Sequence, residues 1–88
     1  MDVSIAEVIE KARTELHKLT GLEISSTVGI VREDDGWLVT FEVIEKHSIP
    51  DSMDILATYE TRLDAEGNML EFKRTSMRKR IETVEAEE

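Results

Sequence analysis

The apolar positions of this chain follow two periods, and the switch between them falls at Gly21. Before it, Ile5, Val8, Ile9, Ala12, Leu16 and Leu19 recur every three or four residues, which is the spacing of one stripe on an α-helix. Ser4 and Glu7 at its head form a capping-box pattern, in which each side chain can accept a hydrogen bond from the other residue's backbone N–H. Gly21 is placed to end the helix in a left-handed conformation. The spacing therefore predicts a helix over residues 4–19, with Glu7 and Lys11 four apart in the orientation that favours an ion pair.

Beyond Gly21 the period is two. Leu22, Ile24, Ser26, Val28 and Ile30 alternate with Glu23, Ser25, Thr27 and Gly29, predicting a strand that ends at the turn Glu33-Asp34-Asp35-Gly36. A second strand over 37–46 sets Trp37, Val39, Phe41 and Val43 on one face, and Leu38, Thr40, Glu42 and Ile44 on the other. Pro50 lacks a ladder donor and biases Ile49 towards extended backbone, so residues 47–52 leave the sheet. A third strand is expected from about Met53 to Leu63, with Ile55, Ala57, Tyr59 and Leu63 on one side. Residues 64–68 read as a hairpin loop in which Gly67 supplies the positive φ. A fourth strand should run from Met69 to about Arg80.

The fold class is thus α+β: one N-terminal helix packed on a four-stranded antiparallel β-meander, with residues 1–80 as a single domain and 81–88 as an acidic, frayed tail. A striped helix and a one-sided sheet must cover each other, so the helix should lie over the face bearing Trp37, Phe41, Tyr59 and Phe72. Trp37 is the expected anchor, buried against Leu16 or Ile9. The opposite face is mixed, with Leu38, Ile44 and Leu56 among Glu42, Thr58, Glu60 and Arg62. A contiguous apolar patch in such a setting signals a partner, and these residues are the candidate contact surface.

Composition narrows the chemistry. The 88 residues carry a net charge of −9 and no cysteine, so disulfides and thiolate metal sites are excluded. A phosphate backbone would be repelled, which argues against nucleic-acid binding. No apolar run approaches the roughly 18 residues needed to cross a membrane, and Met1-Asp2-Val3-Ser4 lacks a basic signal-peptide opening. A cytoplasmic protein is expected. The charge is uneven: Lys73, Arg74, Arg78, Lys79 and Arg80 cluster near the end, and Glu82, Glu85, Glu87 and Glu88 follow at once. This is a solvated strand with an acidic tail or a strip for an acidic partner.

Catalytic patterns are not found. Asp51, Asp54 and Glu60 cluster near one strand, but acid–base work needs carboxyls with separated pKa values in a pocket, and no pattern marks one. His17 and His47 lack a third soft ligand for zinc. Asp34-Asp35 and Asp64-x-Glu66-x-Asn68 lack the closing bidentate Glu of a calcium loop and read as turns. There is no phosphate-binding glycine loop. The reading is an interaction protein without cofactor, metal or enzymatic activity.

The ordered string W-x-V-x-x-E-V-x-E from Trp37 to Glu45, Ile49-Pro50-Asp51, and Asp54-x-Leu56-Ala57-x-Tyr59-Glu60-x-x-Leu63-Asp64-x-x-Gly67 resembles the accessory gas vesicle proteins of the O family. Ser48 stands where that family usually has Arg, and the basic segment after Arg74 lacks the family's Tyr. The resemblance implies structural roles for Trp37, Pro50, Asp51, Asp54, Tyr59, Asp64 and Gly67. It also implies a cytoplasmic accessory protein of gas vesicle formation, contacting other accessory proteins and the shell protein, with no catalytic or cofactor site. The ending Tyr59-Glu60-x-x-Leu63-Asp64-x-x-Gly67-x-x-Leu70 is similar as well to PepSY-like domains, which are binding or inhibitory modules, and the outline is shared with cystatin-like shapes.

Overall fold

A computed structural model describes residues 4–80 of the chain. Helix α1 spans Ile5–Thr20, and the strands are β1 (Glu23–Glu33), β2 (Gly36–Lys46), β3 (Ile55–Asp64) and β4 (Met69–Lys79). One 3-10 turn, Asp51–Met53, lies between β2 and β3. The strands form one antiparallel sheet in the order β1-β2-β3-β4, the α+β arrangement expected from the sequence. The expected tail at 81–88 lies outside the described residues.

The ends of α1 are fixed locally. Ser4 Oγ accepts from the Glu7 N–H at 3.1 Å, and Glu7 Oε1 accepts from the Ser4 N–H at 3.0 Å. That use of the Glu7 carboxylate replaces the anticipated pair with Lys11, which does not form among the described residues. At the other end Gly21 sits at φ 74° and donates to His17 O. His17 Nδ1 donates to Leu22 O at 2.8 Å, which aims the chain into β1.

Val8, Ala12 and Leu16 are the buried line of the helix, with Ile9 partly covered beside them. Ile5 and Leu19, expected in the same stripe, are more than half exposed. At 100° per residue they point the same way as Ala12, but they sit in the first and last turns of the helix, where the cover ends.

The helix crosses the sheet obliquely. Near its start, a Cβ placed on Gly67 (φ 90°) would lie 3.6 Å from Lys11 Cδ and 3.9 Å from Val8 Cγ2, so this part of α1 rests on the β3–β4 loop. Its last turn meets the start of β1 at the other end of the sheet. Beneath it, Trp37, Val39, Phe41, Val43, Ala57, Tyr59 and Leu63 complete the core. Trp37 is nearly buried and shares this cluster with Leu16 and Ile9. Arg32 lies 4.8 Å over its ring, on a corner that the helix does not reach.

Three expectations change. In β1 the register slips between Ile24 and Ser26 and again between Thr27 and Gly29. Two bulges therefore break the alternation, so that Thr27 and Ile30 join Ile24 on the helix side while Val28 is 61% exposed. The third strand begins at Ile55, because residues 51–53 curl into the 3-10 turn that Asp51 O and the Asp54 N–H close. Phe72 does lie on the helix side, opposite Thr61, but it stays 37% exposed. The oblique helix leaves that part of β4 bare.

Candidate functional site

The sheet face away from α1 is built of four cross-strand rows, read from the register: Glu23–Ile44–Leu56–Arg78, Ser26–Glu42–Thr58–Ser76, Gly29–Thr40–Glu60–Lys73 and Val31–Leu38–Arg62–Glu71. The six predicted contact residues Leu38, Glu42, Ile44, Leu56, Glu60 and Arg62 therefore share one face. They are not equally accessible. Leu56 is 1% exposed and Ile44 8%, because Arg78 stands beside Leu56 and reaches across to the Glu42 carboxylate. That ion pair closes one end of the face. At the far end Leu38 is half-buried, and Val31, whose place on this face the β1 bulges obscured in the sequence, is 58% exposed. Arg62 there binds Glu71 at 3.1 Å and Glu33 at 3.5 Å.

The closed end is organised around Asp54, which is buried. Its Oδ1 accepts from the Ser48 N–H at 2.7 Å, its Oδ2 accepts from Arg80 Nη2 at 3.2 Å, and its carbonyl accepts from the Arg80 N–H. His47 stands 3.8 Å from Oδ2 and 3.1 Å from Glu23. One aspartate thus ties the β2–β3 connection, with its cis Ile49–Pro50 bond, to the end of β4. The Ser48 N–H, aided by Arg80, holds the Asp54 carboxyl below its ordinary pKa against the opposing effect of burial.

The other motif positions serve the fold. Asp64 Oδ1 accepts from the Glu66 and Asn68 N–H groups, and Oδ2 accepts from Asn68 Nδ2. Chiefly the Asn68 N–H depresses the Asp64 pKa. The Trp37 indole N–H points at Ala65 O, 3.5 Å away, and Gly36 lies so close to β3 that a Cβ would fall 1.9 Å from Leu63 O. The Tyr59 hydroxyl donates to Glu45 Oε2 at 2.9 Å, with Arg74 3.6 Å from the same oxygen. Burial above all pushes the Tyr59 pKa up. These carboxylates cap turns and hold strands together, which is the chemistry the arrangement performs. Among the described residues no three His, Cys, Asp or Glu side chains are grouped to hold a metal ion, and no helix is long and apolar enough to cross a membrane.

The family model described as gas vesicle synthesis protein GvpO matches residues 1–83. Gas vesicle protein O of Streptomyces sp. (strain CB03234) is 40% identical over 67 residues, 76% of this chain and 52% of that protein. Gas vesicle protein O of Haloferax mediterranei is 29% identical over 68 residues, 76% of this chain and 49% of its own length. Gas vesicle protein O1 of Halobacterium salinarum is 30% identical over 59 residues, covering 67% and 50%. The chain spans about half the length of these curated relatives. No solved structure matches it.

Proposed function

Because this chain belongs to the gas vesicle synthesis protein GvpO family, we propose that it serves gas vesicle formation in the cytoplasm as a non-enzymatic accessory protein. It acts by contact with other accessory gas vesicle proteins, and with the shell protein as a second candidate. The observation that carries this is the family match across residues 1–83. The open sheet face supports the contact mode, because Leu38 and Val31 offer an apolar centre and Glu60, Arg62 and Glu71 a charged surround. In such surfaces the apolar centre sets the lifetime of a complex, while the rim sets orientation and on-rate.

The test is genetic and biophysical together. Deleting the gene in its host should abolish vesicles, read as the loss of pressure-sensitive light scattering, and the wild-type chain should restore them. A Leu38→Asp chain should fail to restore them while keeping its circular dichroism spectrum and its melting temperature. Normal vesicles in the deletion strain would overturn the function. Full rescue by the Leu38→Asp chain would overturn the choice of face.

A further inference from the structure

Strand β4 carries a second surface, on the helix side and at the corner that α1 leaves bare. Phe72, Arg74, Met77 and Lys79 stand opposite Thr61, Tyr59, Ala57 and Ile55 respectively, so all four lie on the same side as the core. Yet Phe72 is 37% and Met77 49% exposed. The oblique course of α1 accounts for this, since the helix starts over the β3–β4 loop and ends at β1. The Phe72 ring lies 6.2 Å from that of buried Tyr59, so the exposed patch is continuous with the core rather than an isolated side chain. Phe, Met and Arg are residue types enriched in binding surfaces.

Strand β4 differs in charge from the rest of the domain: residues 69–80 hold five cations and one carboxylate, whereas residues 4–68 hold fourteen carboxylates and six cations. Of those five, Arg74 and Lys79 stand on this side of the sheet, Arg74 3.6 Å from Glu45, while Lys73 and Arg78 belong to the open face and Arg80 binds Asp54. We propose that the strip Phe72–Arg74–Met77, beside α1, docks an acidic amphipathic segment of a partner protein, its apolar side chains on Phe72 and Met77 and its carboxylates towards the basic strand. A second copy is a poor occupant. Its β4 repeats the same positive charge, and its α1 carries Glu7, Glu10 and Glu15 against Lys11, Arg13 and Lys18, with no net charge to offer. Nucleic acid would meet the strip only by passing a strongly acidic body. The proposal rests on the reading that this domain works by contact, and it names the partner's chemistry for a surface separate from the open face.

The experiment titrates the ¹⁵N-labelled full chain with a synthetic helical peptide of roughly 18 residues, long enough to hold a helix when bound, with Leu on one face and Glu on the other. Amide shifts should concentrate in residues 55–59 and 72–79, and Phe72→Ser or Met77→Ser should weaken binding at least about tenfold without lowering the melting temperature appreciably. Arg74→Gln should weaken it less and flatten its salt dependence. Equal binding of a peptide with Lys in place of Glu, or of one with Ser in place of Leu, would overturn the proposal, as would shifts concentrated on the open face. If sedimentation shows a dimer that Phe72→Ser dissolves, a second copy is the occupant and the proposal fails. If replacing Glu82, Glu85, Glu87 and Glu88 by Gln moves the Phe72 and Met77 amides without peptide, the occupant is the chain's own acidic segment and it fails likewise. Vesicle rescue by the Phe72→Ser chain, with peptide binding lost, would separate the failure of this inference from that of the proposed function.

Discussion

Strands β3 and β4 are hydrogen-bonded neighbours of nearly equal length and similar apolar content, yet they end in opposite environments. β3 buries Leu56, Ala57, Tyr59, Thr61 and Leu63, while in β4 no side chain from Met69 to Lys79 is buried. Composition differs, since β4 carries four Lys and Arg residues to one in β3, but that does not explain why Phe72 and Met77 are exposed. Position does. β3 is paired on both edges, lies beneath the helix, and has its other face roofed at one end by Arg78 and Glu42. β4 is an edge strand at the corner the helix misses. Burial here is a property of the neighbours, which a single strand's pattern does not contain.

The largest test of that contrast is a matched pair of carboxylates. Leu56→Asp, in β3, should place a charge with no partner at a fully covered site, a penalty of several kcal/mol that rivals the whole stability of a domain this small. The variant should be unfolded by circular dichroism. Leu70→Asp, in β4, enters a site 63% exposed and should melt within a few degrees of the parent. If the two melt alike, the distinction between the strands collapses.

Trp37→Ala ranks next. Its ring belongs to the core under α1, and truncation should cost about 3–5 kcal/mol, seen as a lowered denaturant midpoint. A smaller and sharper comparison uses two threonines. Thr61 Oγ1 donates to Val39 O at 2.8 Å in the core, whereas Thr75 Oγ1 donates to Thr58 O at 3.3 Å in the open. Thr61→Val should cost about 1 kcal/mol, and Thr75→Val should stay within about 0.5 kcal/mol of the parent.

The acid limb gives the finest test. Asp54 and Asp64 bracket β3, and both titrate below the ordinary carboxylate value. A depressed folded-state pKa adds stability that is complete above the unfolded value, about 3.9 for Asp, and is lost as pH falls through the folded one. Melting temperature should therefore drop as pH falls below about 4, and Asp54→Asn should flatten that drop. An unchanged slope in the variant would remove Asp54 from the account.

Much of this was legible in the chain. The helix could be read because its signals are local: Ser4, Glu7 and Gly21 perform the capping their identities suggest. The meander was legible from the period of two and from Gly67. The β1 bulges were not, because register is set by the pairing with β2 and only Val28's exposure reveals the slip. Nor was the cover over Leu56, since Arg78 and Glu42 are 36 residues apart in sequence and meet only across three strands. The period of two does place Leu38, Glu42, Ile44, Leu56, Glu60 and Arg62 on one side of the sheet, but it does not show that Ile44 and Leu56 are covered. The motif string marked Asp54 without indicating that it fastens the β2–β3 connection to the end of β4.

The irregularities of the two edge strands have a consequence for edge-to-edge pairing. β1 carries its extra residues at Ser25 and Val28, and β4 carries its own at Leu70 and Thr75. A bulge bends and twists the strand that bears it, so neither border offers a long straight row of amides to a further strand. Strand addition is thereby disfavoured at both borders of the sheet.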